Sequence, residues 1–201
     1  MASIHHTTMT PGKLDLLTAW LPRQSWYVGD GRTPELVNAG GFRLDDPQGA
    51  VGIEFMIVVD TTAQDPVAYA VPMGYRGAAL EGVPDEALIG IAEHGVLGTR
   101  WIYDGFHDPV VTAQLRALLR GEATAQHQSD SDTPDPTVTV HGTGPDDGFD
   151  VRVDRVPRPV EATRSSSGHL VAGWTRPNGT AARGVVATVV PSDALRPGSD
   201  R

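Results

Sequence analysis

Cysteine is absent from these 201 residues, which removes disulfides, thiol nucleophiles and every cysteine-based zinc site. Lysine occurs once, as Lys13, so any lysine-dependent mechanism must use that residue. Aromatic residues make up only 6%, and no apolar run is long enough to span a bilayer as a helix. The start, Met1-Ala2-Ser3-Ile4-His5-His6, has neither the charged n-region nor the apolar core of a signal peptide. A reducing compartment, a cytoplasmic location and no membrane partner are therefore expected. Basic charge is also scarce. Residues 1–120 carry 8 basic and 14 acidic side chains and the remainder 8 and 11, for a net charge of -9. Clustered cations are what grip phosphates, so no nucleic-acid partner is expected.

What is present is concentrated. Three of the four tryptophans and two of the four tyrosines fall in Trp20–Tyr27 and Gly98–Pro109, interleaved with Arg and Asp. Such groups build a packed scaffold or offer a recognition surface. The candidate ligand or partner surface comprises Arg23, Trp26, Tyr27, Arg100, Trp101, Tyr103 and His107. A sugar platform would need at least one of Trp26, Tyr27, Trp101 or Tyr103 to face a groove.

The pattern predicts an α+β fold: a curved, mainly antiparallel sheet with flanking helices, then a small β-rich module. Thr10-Pro11 opens a helix whose apolar positions are Leu14, Leu17, Trp20 and Leu21, ended or kinked by Pro22. Strands are expected near 36–44, over Val51–Asp60 and over Val67–Met73, the last two as a hairpin. Pro72 favours an edge or the end of pairing. Residues 85–92 suit a short helix or a strand, and Arg100–Asp104 a further strand. Asp108-Pro109 caps a second helix with Val111, Leu115 and Leu118 on one face, and the helices are expected on one side of the sheet. Residues 121–136, acidic and without a large apolar side chain, read as a flexible linker. The division is then 1–120 for the first domain, 137–190 for a weakly cored β module, and 191–201 for a frayed tail. Strands in that module are expected at 137–141, 149–156, 169–175 and 183–190.

Catalytic chemistry is not conspicuous. Glu93, His94, Asp104, His107 and Asp108 form the densest polar group, but no His-Glu-x-x-His or carboxylate loop accompanies them. His5-His6 has no partner nearby in sequence. Ser165-Ser166-Ser167-Gly168-His169 lacks a nucleophile elbow. In His141–Gly148, Pro145 removes an amide and Asp146 and Asp147 repel phosphate, so a turn is expected there. No catalytic residue, cofactor or metal is expected.

Four segments carry a family resemblance: Trp20-Leu-Pro-Arg-Gln-Ser-Trp-Tyr27, Val71-Pro-Met-Gly-Tyr-Arg-Gly77, Ala87-Leu-Ile-Gly90 with Glu93-His94, and Val96-Leu-Gly-Thr-Arg-Trp-Ile-Tyr-Asp-Gly105 followed by His107-Asp-Pro109. Together they resemble the N-terminal cap domain of bacterial maltokinases, actinobacterial enzymes that phosphorylate maltose with ATP, over roughly residues 12–120. The resemblance implies a small α/β cap placed before an aminoglycoside-kinase-like body, shaping or regulating the enzyme without chemistry of its own. The departures concern phosphoryl transfer. The strand Gly184–Val190 has no lysine, and no His-x-Asp-x-x-x-x-Asn occurs. The resemblance implies that a large catalytic lobe would begin only beyond the last of these residues. The expectation is a non-catalytic accessory or regulatory protein of maltose, trehalose or glycogen metabolism, partnered by a carbohydrate enzyme or kinase-like protein. The alternatives are a carbohydrate-binding module for a glucan or disaccharide, and a remnant or component of an ATP-dependent sugar kinase.

Overall fold

The longest apolar run, Val51–Asp60, becomes an interior strand of a seven-stranded antiparallel sheet and is buried on both faces. The computed structural model describes residues 8–130, 132–142, 148–160 and 168–192. In chain order the elements are β1 (Met9–Thr10), α1 (Lys13–Trp20), β2 (Leu36–Leu44), β3 (Val51–Asp60), β4 (Val67–Arg76), β5 (Leu88–His94), β6 (Gly98–Asp104), α2 (Pro109–Leu119), β7 (Gln126–His127), β8 (Thr139–His141), β9 (Phe149–Pro159), β10 (His169–Thr175) and β11 (Ala181–Pro191). The large sheet runs β1-β5-β6-β4-β3-β2-β7 and a four-stranded sheet runs β8-β10-β11-β9.

Side chains alternate across a strand, so β3 and β4 each supply two cores. Met56, Val58, Tyr69, Val71 and Met73 pack against Leu17, Trp20 and Leu21 of α1 and the turn that follows it. Ile53, Phe55, Ile57 and Ala70 point the other way, toward Val111, Leu115 and Leu118 of α2 and toward Val151, Leu170 and Val186 of the second sheet. Phe42 stacks on Phe55 in this second core, with centroids 4.9 Å apart.

The helices thus lie on opposite faces of the sheet, not on one as expected. The sequence order places both beside the sheet, but the parity of β3 and β4 decides which face each one covers. The first helix also begins later than Thr10-Pro11 suggests. Thr10 pairs with Glu93 in the sheet, and Gly12 takes the cap position, donating its N–H to Asp15 Oδ2 at 3.1 Å. Residues 85–92 resolve into one 3₁₀ turn, Asp85–Ala87, followed by β5. Pro72 falls just past the ladder with β6, which partners only Met73 to Arg76.

The 121–136 segment, expected as a linker, lies against the large sheet over its described residues. Gln126 and His127 pair with Arg43 and Phe42, Ala125 is buried, and the Asp135 N–H donates to Ala125 O. The β module likewise contributes Phe149, Val151, Leu170 and Val186 to the core it shares with the large sheet. Small residues such as Ala125 carry little hydrophobic signal alone, so that packing is invisible to composition. Within the tail, Pro191 ends β11 against Phe149, and residues 193–201 lie outside the described residues.

Candidate functional site

The conspicuous residues divide between the two faces of the large sheet. Trp26 and Tyr27 extend the α1-side core. The Trp26 ring meets Trp20 edge-on at 5.7 Å and Tyr69 at 6.1 Å, and the Tyr27 hydroxyl donates to Asp60 Oδ2 at 2.7 Å. Arg100, paired with Ala92, is on this face too, its guanidinium passing over the bare backbone of Gly77. Trp101 and Tyr103 alternate to the α2 face. Trp101 is half-buried between its cross-strand neighbours Ile91 and Arg76. Tyr103 is buried, its hydroxyl accepting from the Leu80 N–H at 3.0 Å. His107 packs edge-on against Phe106, and Arg23 is exposed in the turn Leu21–Arg23. The sheet therefore separates Trp26 and Tyr27 from Trp101 and Tyr103, and these four do not form one surface.

Two carboxylates bracket the α1-side core along β3. Glu54 is fully buried and receives the only lysine: Lys13 Nζ donates to Oε2 at 2.7 Å and to Oε1 at 2.9 Å. Tyr75 donates its hydroxyl to Oε2 at 2.6 Å, and Gln128 Nε2 donates to Oε1 at 2.7 Å. Burial alone would raise the Glu54 pKa. The Lys13 charge and hydrogen bonds, helped by Tyr75 and Gln128, outweigh it and hold the carboxyl below its ordinary value. Burial and the Glu54 charge push the Tyr75 phenol well up. At the other end, burial raises Asp60 but hydrogen bonds from the side chain and N–H of Thr62, from Tyr27 and from the Glu35 N–H lower it by more. Burial, then the Asp60 contact, raises Tyr27. Both carboxylates stay ionised and fully partnered, an arrangement that locks geometry and leaves no proton acceptor free.

The acidic residues of the second conspicuous segment are also spent on arginines. Asp108 caps α2 through the Val110 and Val111 N–H groups and takes Arg76 in a bidentate pair, at 2.6 and 2.7 Å. Gly74 makes room for it, since a Cβ there would sit 2.6 Å from Asp108 Oδ2. Asp104, 4% exposed across its side chain, pairs with Arg155 of β9 at 2.5 Å. The Arg155 guanidinium carbon also stands 4.8 Å from the Trp26 ring centre. One cation from the second sheet is thus held between a carboxylate at the end of β6 and the indole of the turn that follows α1, an arrangement suited to arginine's planar delocalised head.

Glu93 accepts from Thr99, and His94 Nδ1 accepts from the Val96 and Leu97 N–H groups, so the polar group around 93–108 is divided among separate local bonds. Among the described residues no three His, Asp or Glu side chains converge on a metal-sized space. His169 is buried and stacked on His141 at 5.2 Å, whereas His5-His6, Ser165–Ser167 and residues 143–147 lie outside the described residues.

Sequence reasoning missed the Glu54–Lys13 lock and the Arg155 clamp. A signal existed for the first: Glu54 interrupts an otherwise apolar strand, and the chain offers a single lysine. Nothing local marks Arg155, because its partners are 51 residues away in Asp104 and further still in Trp26. Also missed was Trp174, the one tryptophan outside the two conspicuous segments.

No curated protein matches this chain. Residues 20–108, which hold the Trp26 cluster, β2 to β6 and the α2 cap, match the family model of the maltokinase N-terminal cap domain.

Proposed function

We propose that this protein is a non-catalytic, cap-like accessory or regulatory protein of maltose, trehalose or glycogen metabolism that acts in the cytoplasm on a carbohydrate enzyme or kinase-like partner. The observation that carries the reading is the use made of the matched segment's polar residues. Asp104 and Asp108, two of the buried acids of that segment, are both engaged by arginines, and Arg155 links one of them to the second sheet. The sole lysine is committed to Glu54. Groups so occupied support rigid presentation of a surface and are poorly placed to move protons or hold phosphates.

The test is crosslinking of the full chain in native extract with identification of the crosslinked proteins, followed by reconstitution with the purified candidate. The expected result is a complex with a maltose-, trehalose- or glycogen-handling enzyme that survives gel filtration and changes that enzyme's kinetics. Recovery of no carbohydrate enzyme under conditions that preserve weak complexes would overturn the reading.

A further inference from the structure

The two sheets part at the end of their seam where β9 and β10 finish, leaving a cleft of about 650 Å³. The floor is Val59 and Ala68, direct cross-strand neighbours on the α2-side face of the large sheet. The roof is Val156 and Pro157 of β9 with Trp174 of β10. Two hairpin tips form the lips: Asp65-Pro66 between β3 and β4, and Arg176-Pro177-Asn178 between β10 and β11. The volume falls in the range of small-molecule sites.

The half-buried indole of Trp174 is positioned by backbone. It lies across Gly184, where a Cβ would come within 3.0 Å of Cη2, and its own Cβ approaches Gly40 of β2, where a Cβ would stand 3.4 Å away. A ring seated on bare backbone has little freedom to lose when a ligand arrives. The lips, by contrast, hold unspent polar capacity. Asn178 uses its carbonyl oxygen on the Thr180 N–H and hydroxyl, and its amide hydrogens have no acceptor among the described residues. Among the described residues the Arg176 guanidinium reaches only the Thr180 hydroxyl, at 3.5 Å. Asp65 makes no hydrogen bond or ion pair among the described residues.

One carboxylate and one guanidinium offset each other, so the lips select neither an anion nor a cation. A purely apolar guest would cover the indole and the valines but desolvate three polar groups without partners, which is costly. A neutral molecule with an apolar face and a hydroxylated edge satisfies both surfaces. We propose that this cleft binds a pyranose ring of a neutral saccharide, its apolar face on Trp174 and its hydroxyls held by Asp65, Arg176 and Asn178. The site goes beyond the accessory reading and is independent of it, because binding here requires no partner protein.

The test follows the four indole N–H signals of the full chain by ¹H–¹⁵N NMR while glucose, galactose, cellobiose and maltotriose are added to millimolar concentration. Trp174→Phe identifies the Trp174 signal. A saturable shift centred on that signal is expected with at least one saccharide, weakened about tenfold by Asp65→Ala or Asn178→Ala, exposed positions whose loss leaves the core intact. Absence of a Trp174 response to every saccharide overturns the proposal, as does a response unchanged in both lip variants. An apolar dye that shifts Trp174 where no saccharide does would reassign the cleft to an apolar guest.

Discussion

The two ends of the seam between the sheets are built on different principles. At the α2 end, Leu115 and Leu118 pack with Phe149, Val151 and Leu170, and Arg116 reaches Asp150 at 2.6 Å across the boundary. At the far end β9 runs on to Val156 and Pro157, β10 to Trp174, and the same core opens into the cleft. Between them stands the Arg155–Asp104–Trp26 clamp. The contrast teaches that one continuous hydrophobic core serves as a weld at one end and leaves apolar surface available at the other. A buried ion pair, Arg155–Asp104, ties β9 to the large sheet between the two.

Several substitutions would break or sharpen that contrast. The largest effect is expected at the clamp: Arg155→Ala leaves the Asp104 carboxylate buried without its cation and should cost about 3–5 kcal/mol in urea denaturation. The double change Arg155→Met with Asp104→Leu removes both charges and should recover most of that loss. If the single variant unfolds no earlier than the parent, the clamp does not fasten the sheets. Next, Lys13→Met strips Glu54 of its charged partner while Tyr75 and Gln128 remain, and a loss of about 1.5–3 kcal/mol is expected. Lys13 is itself partly exposed, which keeps this below the clamp variant.

Acid should act through the same carboxylates. Glu54 and Asp60 have folded-state pKa values held below their ordinary ones, so their contribution is fully present above about pH 4.5. It is lost as pH falls through the folded values, because the unfolded chain then binds protons that the folded chain resists. The denaturation midpoint should therefore decline below about pH 4, and the decline should be shallower in a Glu54→Gln variant. The smallest effect is expected at the mouth. Val156→Ser removes an apolar side chain that is already 39% exposed and should change stability by no more than about 0.5 kcal/mol. A large loss there would mean that the cleft end is as tightly built as the α2 end.

Much of the fold was legible because it rests on local pattern. The β3–β4 hairpin follows from two alternating apolar runs joined by Asp65-Pro66, and the α2 cap follows from a carboxylate placed directly before a proline. The end of the first conspicuous segment, Trp26 and Tyr27, could be read as packing because its neighbours are aromatic. The site was less legible. Trp101 lies three residues before Asp104 and is on the other side of the sheet, a separation that only strand parity creates. Trp174 carried no local signal, since its setting depends on glycines at 40 and 184 and on hairpin tips from both sheets.

By itself the sequence determined the chemical limits of this protein: no thiol, one lysine, an acidic balance of charge, and three of the four tryptophans gathered in two short stretches. It also determined most of the strands and the second helix, because amphipathic period and capping are properties of neighbouring residues. Only the tertiary structure decided that the helices take opposite faces, that the two sheets share one core, and that the lone lysine goes to Glu54. The physical reason is range. Burial parity, ion pairing and cleft formation each join residues tens of positions apart, and their energies exist only once the sheets have met.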